Sequence, residues 1–213
     1  EKCRVHTVWR GAGLELWGPP YHGAKTPFIS TIGGTIAWEF PGVVPWSWAP
    51  GMDASVNFRG FQTDGRTLRF RYDLQAGEQA VSVEERPYLR ENGGTPTLVR
   101  EFTVAPAPSP LRFLAHAELD GKPELTPHGV RIAGAAHEYF LRSQGELSIG
   151  WEVVEEQANY TYERITNKGT EQGNPLVHRK GVEARAYARI PAHDQPVRFS
   201  ILTQAANIRE RTV

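Results

Sequence analysis

A two-residue period, recurring in short runs from residue 67 to residue 204, constrains this chain more than any other feature. In TLRFRYDLQ (67–75), Leu68, Phe70, Tyr72 and Leu74 alternate with Arg69, Arg71 and Asp73. An extended backbone sends successive side chains to opposite faces, so the apolar set lies against a core and the charged set in water. QAVSVEERPYLR carries the pattern on through Val81 and Val83 to Pro87, and the stretch from Gln75 to Glu78, with Gly77, reads as the hairpin turn between the two runs. TLVREFTVA (97–105) sets Leu98, Arg100, Phe102 and Val104 on one face and Val99, Glu101 and Thr103 on the other, a strand of mixed register.

The second half repeats this grammar in PLRFLAHAELDG (110–121), GVRIAG (129–134), ELSIGWEVV (146–154), YTYERI (160–165), GVEARAYARIP (181–191) and PVRFSILTQ (196–204). Asp64-Gly65, Asp120-Gly121 and a series of prolines punctuate the runs. GAAHEYFLRS (134–143) is the one stretch with a helical alternative. Strands at this spacing without intervening helices predict an all-β fold, an antiparallel β-sandwich or an enlarged two-sheet form of it. We expect a single domain over 1–213, with 61–213 as the sheet core and 1–60 as a loop-rich wrap, because the first sixty residues hold five of the six tryptophans amid glycine and proline with weak periodicity. APAPSPL (105–111) reads either as a linker or as a stiff connection between strands.

Within that wrap, WEFPGVVPWSWAPG (38–51) gathers Trp38, Trp46 and Trp48. Trp46 and Trp48 alternate, so on an extended backbone both rings point the same way. Two readings stay open: a flat aromatic platform for a sugar or a partner protein, or bulky rings folded over the open end of the core. Glu39 and Asp53 flank the stretch and are the acids to test for glycan chemistry, whereas Glu84-Glu85 and Glu155-Glu156 are adjacent and point to opposite faces.

Other chemistries lack their signatures. Lys plus Arg and Asp plus Glu stand at 24 each, which gives no field to gather nucleic acid or anionic lipid. No run reaches the roughly 18 apolar residues of a membrane-spanning helix. The nearest histidines, His128 and His137, are nine apart, so no close-spaced metal motif exists, and Cys3 is alone, which excludes an internal disulfide and a CxxCH haem attachment site. There is no GxSxG elbow and no phosphate-binding glycine loop. No cofactor is expected. Asn159-Tyr160-Thr161 fits the N-glycosylation acceptor pattern.

CRVHTVWRG (3–11), NFRGFQTDGRTLRFRYDL (57–74) and LVREFTV (98–104) together resemble a β-sandwich module of large secreted or periplasmic proteins of Planctomycetes and related bacteria, where it accompanies c-type cytochrome domains and sugar-dehydrogenase-like propellers. The resemblance implies an exported accessory role beside redox proteins and brings no catalytic residues with it. An opening Glu1 in place of Met is compatible with a leader removed on export. Within the motif, Phe58 and Phe61 are expected to anchor in the core, Arg59 to reach a carboxylate or carbonyls, and Gly60 to allow a bulge or a positive φ. The expected function is a non-enzymatic periplasmic or secreted module that docks on another protein, such as a c-type cytochrome or redox subunit, with Trp38, Trp46, Trp48, Glu39, Asp53 and Arg59 as its binding residues. The alternatives are a carbohydrate-binding module that stacks a glycan on Trp46 and Trp48, and a glycan-active or metal-dependent enzyme.

Overall fold

The computed structural model describes residues 5–17, 29–39, 43–49, 52–65, 67–92, 95–135, 137–164 and 176–206. Cys3 lies outside them. Among the described residues there are fifteen strands and no helix: β1 (Thr7–Trp17), β2 (Ile29–Glu39), β3 (Trp46–Ala49), β4 (Met52–Asp53), β5 (Ser55–Thr63), β6 (Leu68–Ala76), β7 (Gln79–Asn92), β8 (Thr95–Val104), β9 (Leu111–Leu119), β10 (Lys122–Thr126), β11 (Gly129–Ala133), β12 (Glu138–Gly145), β13 (Gly150–Glu163), β14 (Leu176–Ile190) and β15 (Val197–Ala206). They form an eight-stranded sheet in the order β10-β11-β12-β15-β8-β7-β6-β5, a five-stranded sheet β13-β14-β9-β3-β4, and the pair β1-β2. The β-sandwich expected from the alternation is what forms, and the helical alternative for 134–143 gives way to β12, whose Tyr139 and Leu141 alternate into the core.

The loop-rich wrap expected over 1–60 is corrected: β1 to β5 occupy most of its described part. Their periodicity is weak because it is interrupted. β1 pairs with β2 through register shifts at Val8/Trp9 and Gly11/Leu14, and β5 pairs with β6 through a bulge between Phe58 and Gly60. Gly60, at φ 142°, supplies the expected conformation there. The bulge puts Phe58 opposite Tyr72 and Phe61 opposite Phe70, hence both on one face although three apart in sequence. Both rings lie on an edge strand and stay 38% and 62% exposed, so neither is the core anchor expected of it.

The chain passes between the large and small sheets through residues 105–110 and again through 191–196. These connections hold each other: Ala107 and His193 exchange both backbone hydrogen bonds at 2.9 Å, and the His193 ring places Nδ1 2.9 Å from the Pro191 carbonyl and Nε2 3.0 Å from that of Ala105. APAPSPL is therefore a fixed connection between the sheets.

Between the sheets, Trp46 of β3 meets Phe113 at 4.8 Å and Phe102 at 5.6 Å between ring centroids. A polar chain runs through the same core. The Trp46 indole donates to the Tyr72 hydroxyl at 3.0 Å, Tyr72 donates to Glu85 at 2.8 Å, and Arg100 Nε donates to the other Glu85 oxygen at 2.6 Å. Glu85 and Arg100 are both 3% exposed, and the guanidinium sits 4.5 Å from the Phe113 ring centre. An ion pair shut away from water is tolerated when it is charge-matched and hydrogen-bonded, as Glu85 is here through both oxygens, while Arg100 bonds through Nε and its Nη2 has no hydrogen-bond partner.

Candidate functional site

At one end of the sandwich, where β2 reaches the starts of β12 and β14 and the ends of β9 and β13, a cleft of about 330 Å³ opens. Its aromatic lining is Trp38, Tyr139 and Tyr162, its carboxylates are Glu39, Glu118 and Asp120, and its guanidiniums are Arg164 and Arg179, with His137 and His178 beside them. Small-molecule sites run from roughly 300 to 1,000 Å³, which puts this cleft at the scale of a short ligand.

The one acid of β9, Glu118, reaches the cleft through a defect in pairing. From Ile190↔Leu111 to Tyr187↔Leu114 the strands β14 and β9 run in one register, and from Ala186↔His116 onward in another, with Ala115 as the extra residue. The insertion reverses the alternation, since a bulge re-aims every side chain beyond it. Before it, Leu111 and Phe113 face the core; after it, His116 and Glu118 share the face of the buried Ala186 and Ala184. His116 is 2% exposed, packs its ring 3.9 Å from that of Tyr139, and approaches the Glu118 carboxylate to 3.7 Å. Room for Glu118 comes from two glycines: a Cβ on Gly134 would overlap its carboxylate, and one on Gly121 would stand 3.0 Å from its Cβ. Asp120 adopts a positive φ of 52° in the turn after β9, at the exposed rim.

On the opposite wall, Arg164 grips Glu39 with two hydrogen bonds of 2.8 Å and reaches the Tyr162 hydroxyl at 3.2 Å. A bidentate pair of this kind fixes both side chains. The Glu39 carboxylate holds the guanidinium of Arg164 more firmly in its charged form than usual, against the opposing effect of burial. Arg179 is held by Glu183 at 2.6 Å, and Glu183 is also bound by Tyr160 and Arg185 at 2.8 Å each. Trp38 is 2% exposed and its indole Nε1 is buried without a hydrogen-bond partner. Among the described residues no group of three or more His, Cys, Asp or Glu side chains is placed to hold a metal ion.

Of the residues singled out in the sequence, Trp38 and Glu39 line this cleft. Trp46 and Trp48 do point the same way, but inward: they are 0% and 6% exposed, so a surface platform or docking anchor built on them is corrected to core packing. The reason is register, because Trp46 pairs with Phe113 on the core face of β9. Asp53 is exposed on the short edge strand β4, apart from the cleft lining. Arg59 finds its carboxylate in Asp73 at 2.6 Å on β6 and also lies apart from the cleft. The cleft residues that periodicity passes over are Glu118, His137, Tyr139, Tyr162, Arg164 and His178, which come from four separate segments.

A second concavity, about 520 Å³, lies on the outer face of the large sheet among Arg69, Glu84, Arg86, Glu101, Gln144 and Arg198. Its cations and acids are largely matched, with Arg69 and Arg71 on Glu84 and Arg86 on Glu101.

No family model and no curated protein matches the chain. Among solved structures it is similar to heparinase III, with 7% identity and a TM-score of 0.44, over 84% of this chain and 30% of that one.

Proposed function

We propose that the chain is a non-catalytic binding module whose end cleft holds a short saccharide. The observation that carries this reading is the lining itself: Trp38, Tyr139 and Tyr162 meet in one cleft with Glu39 and Arg164 fixed to each other by two hydrogen bonds and Arg179 ion-paired to Glu183. These rings are largely buried and form an apolar floor rather than an open stacking face, against which the C–H groups of a sugar can rest while the pre-positioned charged groups of the rim exchange hydrogen bonds with its hydroxyls at little ordering cost. Docking on a redox partner through Trp46 and Trp48 is not the role we propose, because those rings are interior. Export, as the sequence resemblance implies, would place the cleft among extracellular glycans.

A glycan array followed by calorimetric titration of the best binder tests this reading. Val177→Trp, which fills the cleft from β14, should abolish binding, whereas Asp53→Ala should leave it intact. A silent array, or a Val177→Trp protein that is folded and binds as the parent does, overturns the proposal.

A further inference from the structure

We propose that the concavity on the outer face of the large sheet is a second binding site, for a small hydroxylated ligand bearing one oxyanion, a carboxylate or a phosphate, which Arg198 receives. It shares no lining residue with the end cleft. The pairing of charges argues for it. Glu84 accepts from Arg69 at 3.2 Å and from Arg71 at 3.1 Å, and Glu101 accepts from Arg86 and from the Tyr88 hydroxyl at 2.8 Å each. Each of these acids therefore serves two donors, and three guanidiniums share two carboxylates. Arg198 is exposed beside them, and among the described residues its side chain forms no ion pair or hydrogen bond. The remaining acid of the lining, Glu146, is also exposed and unpaired among the described residues. Four guanidiniums thus stand against three carboxylates, an excess of one positive charge.

The register of the sheet sets neutral polar groups beside Arg198. Thr103 of β8 is its direct partner, and Ser200, two residues along β15, lies between Glu101 of β8 and Gln144 of β12. The two-residue period puts all of them on the outer face. The Thr103 and Ser200 hydroxyls and the Gln144 amide make no hydrogen bond with another described side chain, so each can exchange one with a ligand hydroxyl. Gly145 closes this side of the concavity: the Arg198 carbonyl oxygen lies 2.6 Å from where a Cβ would stand, so only a glycine lets the end of β12 lie so near β15. The volume, about 520 Å³, is that of a small-molecule site. The planar fork of a guanidinium takes two oxygens of a carboxylate or phosphate at once. One unmatched guanidinium calls for one oxyanion, and the hydroxyls and amide around it call for a ligand rich in hydroxyls.

Calorimetric titration at low salt with gluconate, glycerol phosphate and sorbitol tests the site, sorbitol being the neutral counterpart of gluconate. At least one of the two anions should bind about tenfold more tightly than sorbitol, and their ranking separates a carboxylate ligand from a phosphate one. Arg198→Ala, at an exposed position, should weaken anion binding about tenfold, and Arg198→Lys, which returns the charge without the fork, should recover part of the loss. Glu146→Gln removes the unpaired acid and should strengthen binding by about two- to threefold. Lys122→Ala takes the same charge from the exposed edge strand β10 and should leave binding unchanged. Binding should weaken in about 0.5 M salt. If neither anion binds, if sorbitol binds as tightly as both, or if Arg198→Ala binds as the parent does, the inference falls. Equal losses in Lys122→Ala and Arg198→Ala would mean a diffuse field in place of a site and would also overturn it. The saccharide reading of the end cleft stands or falls separately, on the Val177→Trp protein.

Discussion

Glu85→Gln is the sharpest test of how this sandwich is held together. The substitution keeps the shape of the side chain and one acceptor oxygen but removes the charge that matches Arg100. Both side chains are 3% exposed, and the guanidinium faces Phe113 and Phe102 on its other sides, so no water is at hand to replace the lost carboxylate. Breaking a buried ion pair from one side costs about 3–5 kcal/mol. The remaining amide oxygen cannot serve both Arg100 and the Tyr72 hydroxyl as well as two carboxylate oxygens do, and the Trp46 indole depends on that same hydroxyl. Against a typical stability of about 5–15 kcal/mol the loss is large. With a urea dependence near the upper end of roughly 1–3 kcal/mol per M, the unfolding midpoint should fall by about 1–2 M. The paired change Glu85→Leu with Arg100→Met should recover most of the loss, since apolar residues of similar volume replace such pairs at little cost. Equilibrium urea unfolding followed by tryptophan fluorescence reads all three proteins. A loss below about 1 kcal/mol in Glu85→Gln, or a double variant as unstable as the single one, would refute the claim that charge matching in the core is what Glu85 provides.

The same core predicts an alkaline response: burial, reinforced by the Glu85 carboxylate, pushes the Tyr72 hydroxyl well above its ordinary value near 10. The folded state therefore keeps a proton that the unfolded state releases, and stability should decline as pH rises past 10; Tyr72→Phe, less stable at neutral pH by about 1–3 kcal/mol, should lack that part of the decline in a pH series of urea midpoints. Asp73 behaves oppositely, because the Ser82 hydroxyl and the Arg59 guanidinium lower its carboxyl below the usual 3.8. Its contribution is present above that value and lost as pH falls below it, so Asp73→Asn should flatten the acid limb of the same series. Gly145 sits at φ 144° with the Arg198 carbonyl oxygen 2.6 Å from where a Cβ would stand, and Gly145→Ala should cost about 2–3 kcal/mol by thermal unfolding. Deleting Ala115 removes the extra residue and leaves an unbroken ladder in which Leu114 still pairs with Tyr187 and His116 with Ala186, so His116 and Glu118 keep the core face, and both the far-ultraviolet dichroism and saccharide binding by titration should survive the deletion.

Much of the sandwich is legible because a strand with one face on a core must alternate. Leu68 to Leu74 does so without interruption, and the Gly77 turn that follows, at φ 59°, forms where the sequence places it. Asp64 likewise closes the preceding hairpin by accepting from the Thr67 backbone at 2.7 Å. The buried ion pair was visible as an anomaly of the same rule. Glu85 stands in the apolar row of Val81 and Val83, Arg100 in that of Leu98, Phe102 and Val104, and two opposite charges in the apolar rows of neighbouring strands match one another, with the Tyr72 hydroxyl as a further partner of Glu85.

The cleft is illegible for the complementary reason. Alternation locates side chains only while the register is unbroken, and the cleft end of the sandwich is where register breaks. In LRFLAHAEL, the row of Leu111, Phe113, Ala115, Ala117 and Leu119 looks like the buried one, which leaves His116 and Glu118 in water. One extra residue opposite β14 reverses the second half of the strand. Nothing in the composition of β9 announces it, because the insertion is a property of the pairing between β9 and β14. The same holds in β5, where Gly60 at least marks the spot. Glu118 can be moved from solvent to a half-enclosed niche without any change in its neighbours along the chain. A strand whose apolar row is made of small residues, as at Ala115 and Ala117, tolerates either face inward, and that tolerance lets a sandwich core give way to a polar cleft at its end.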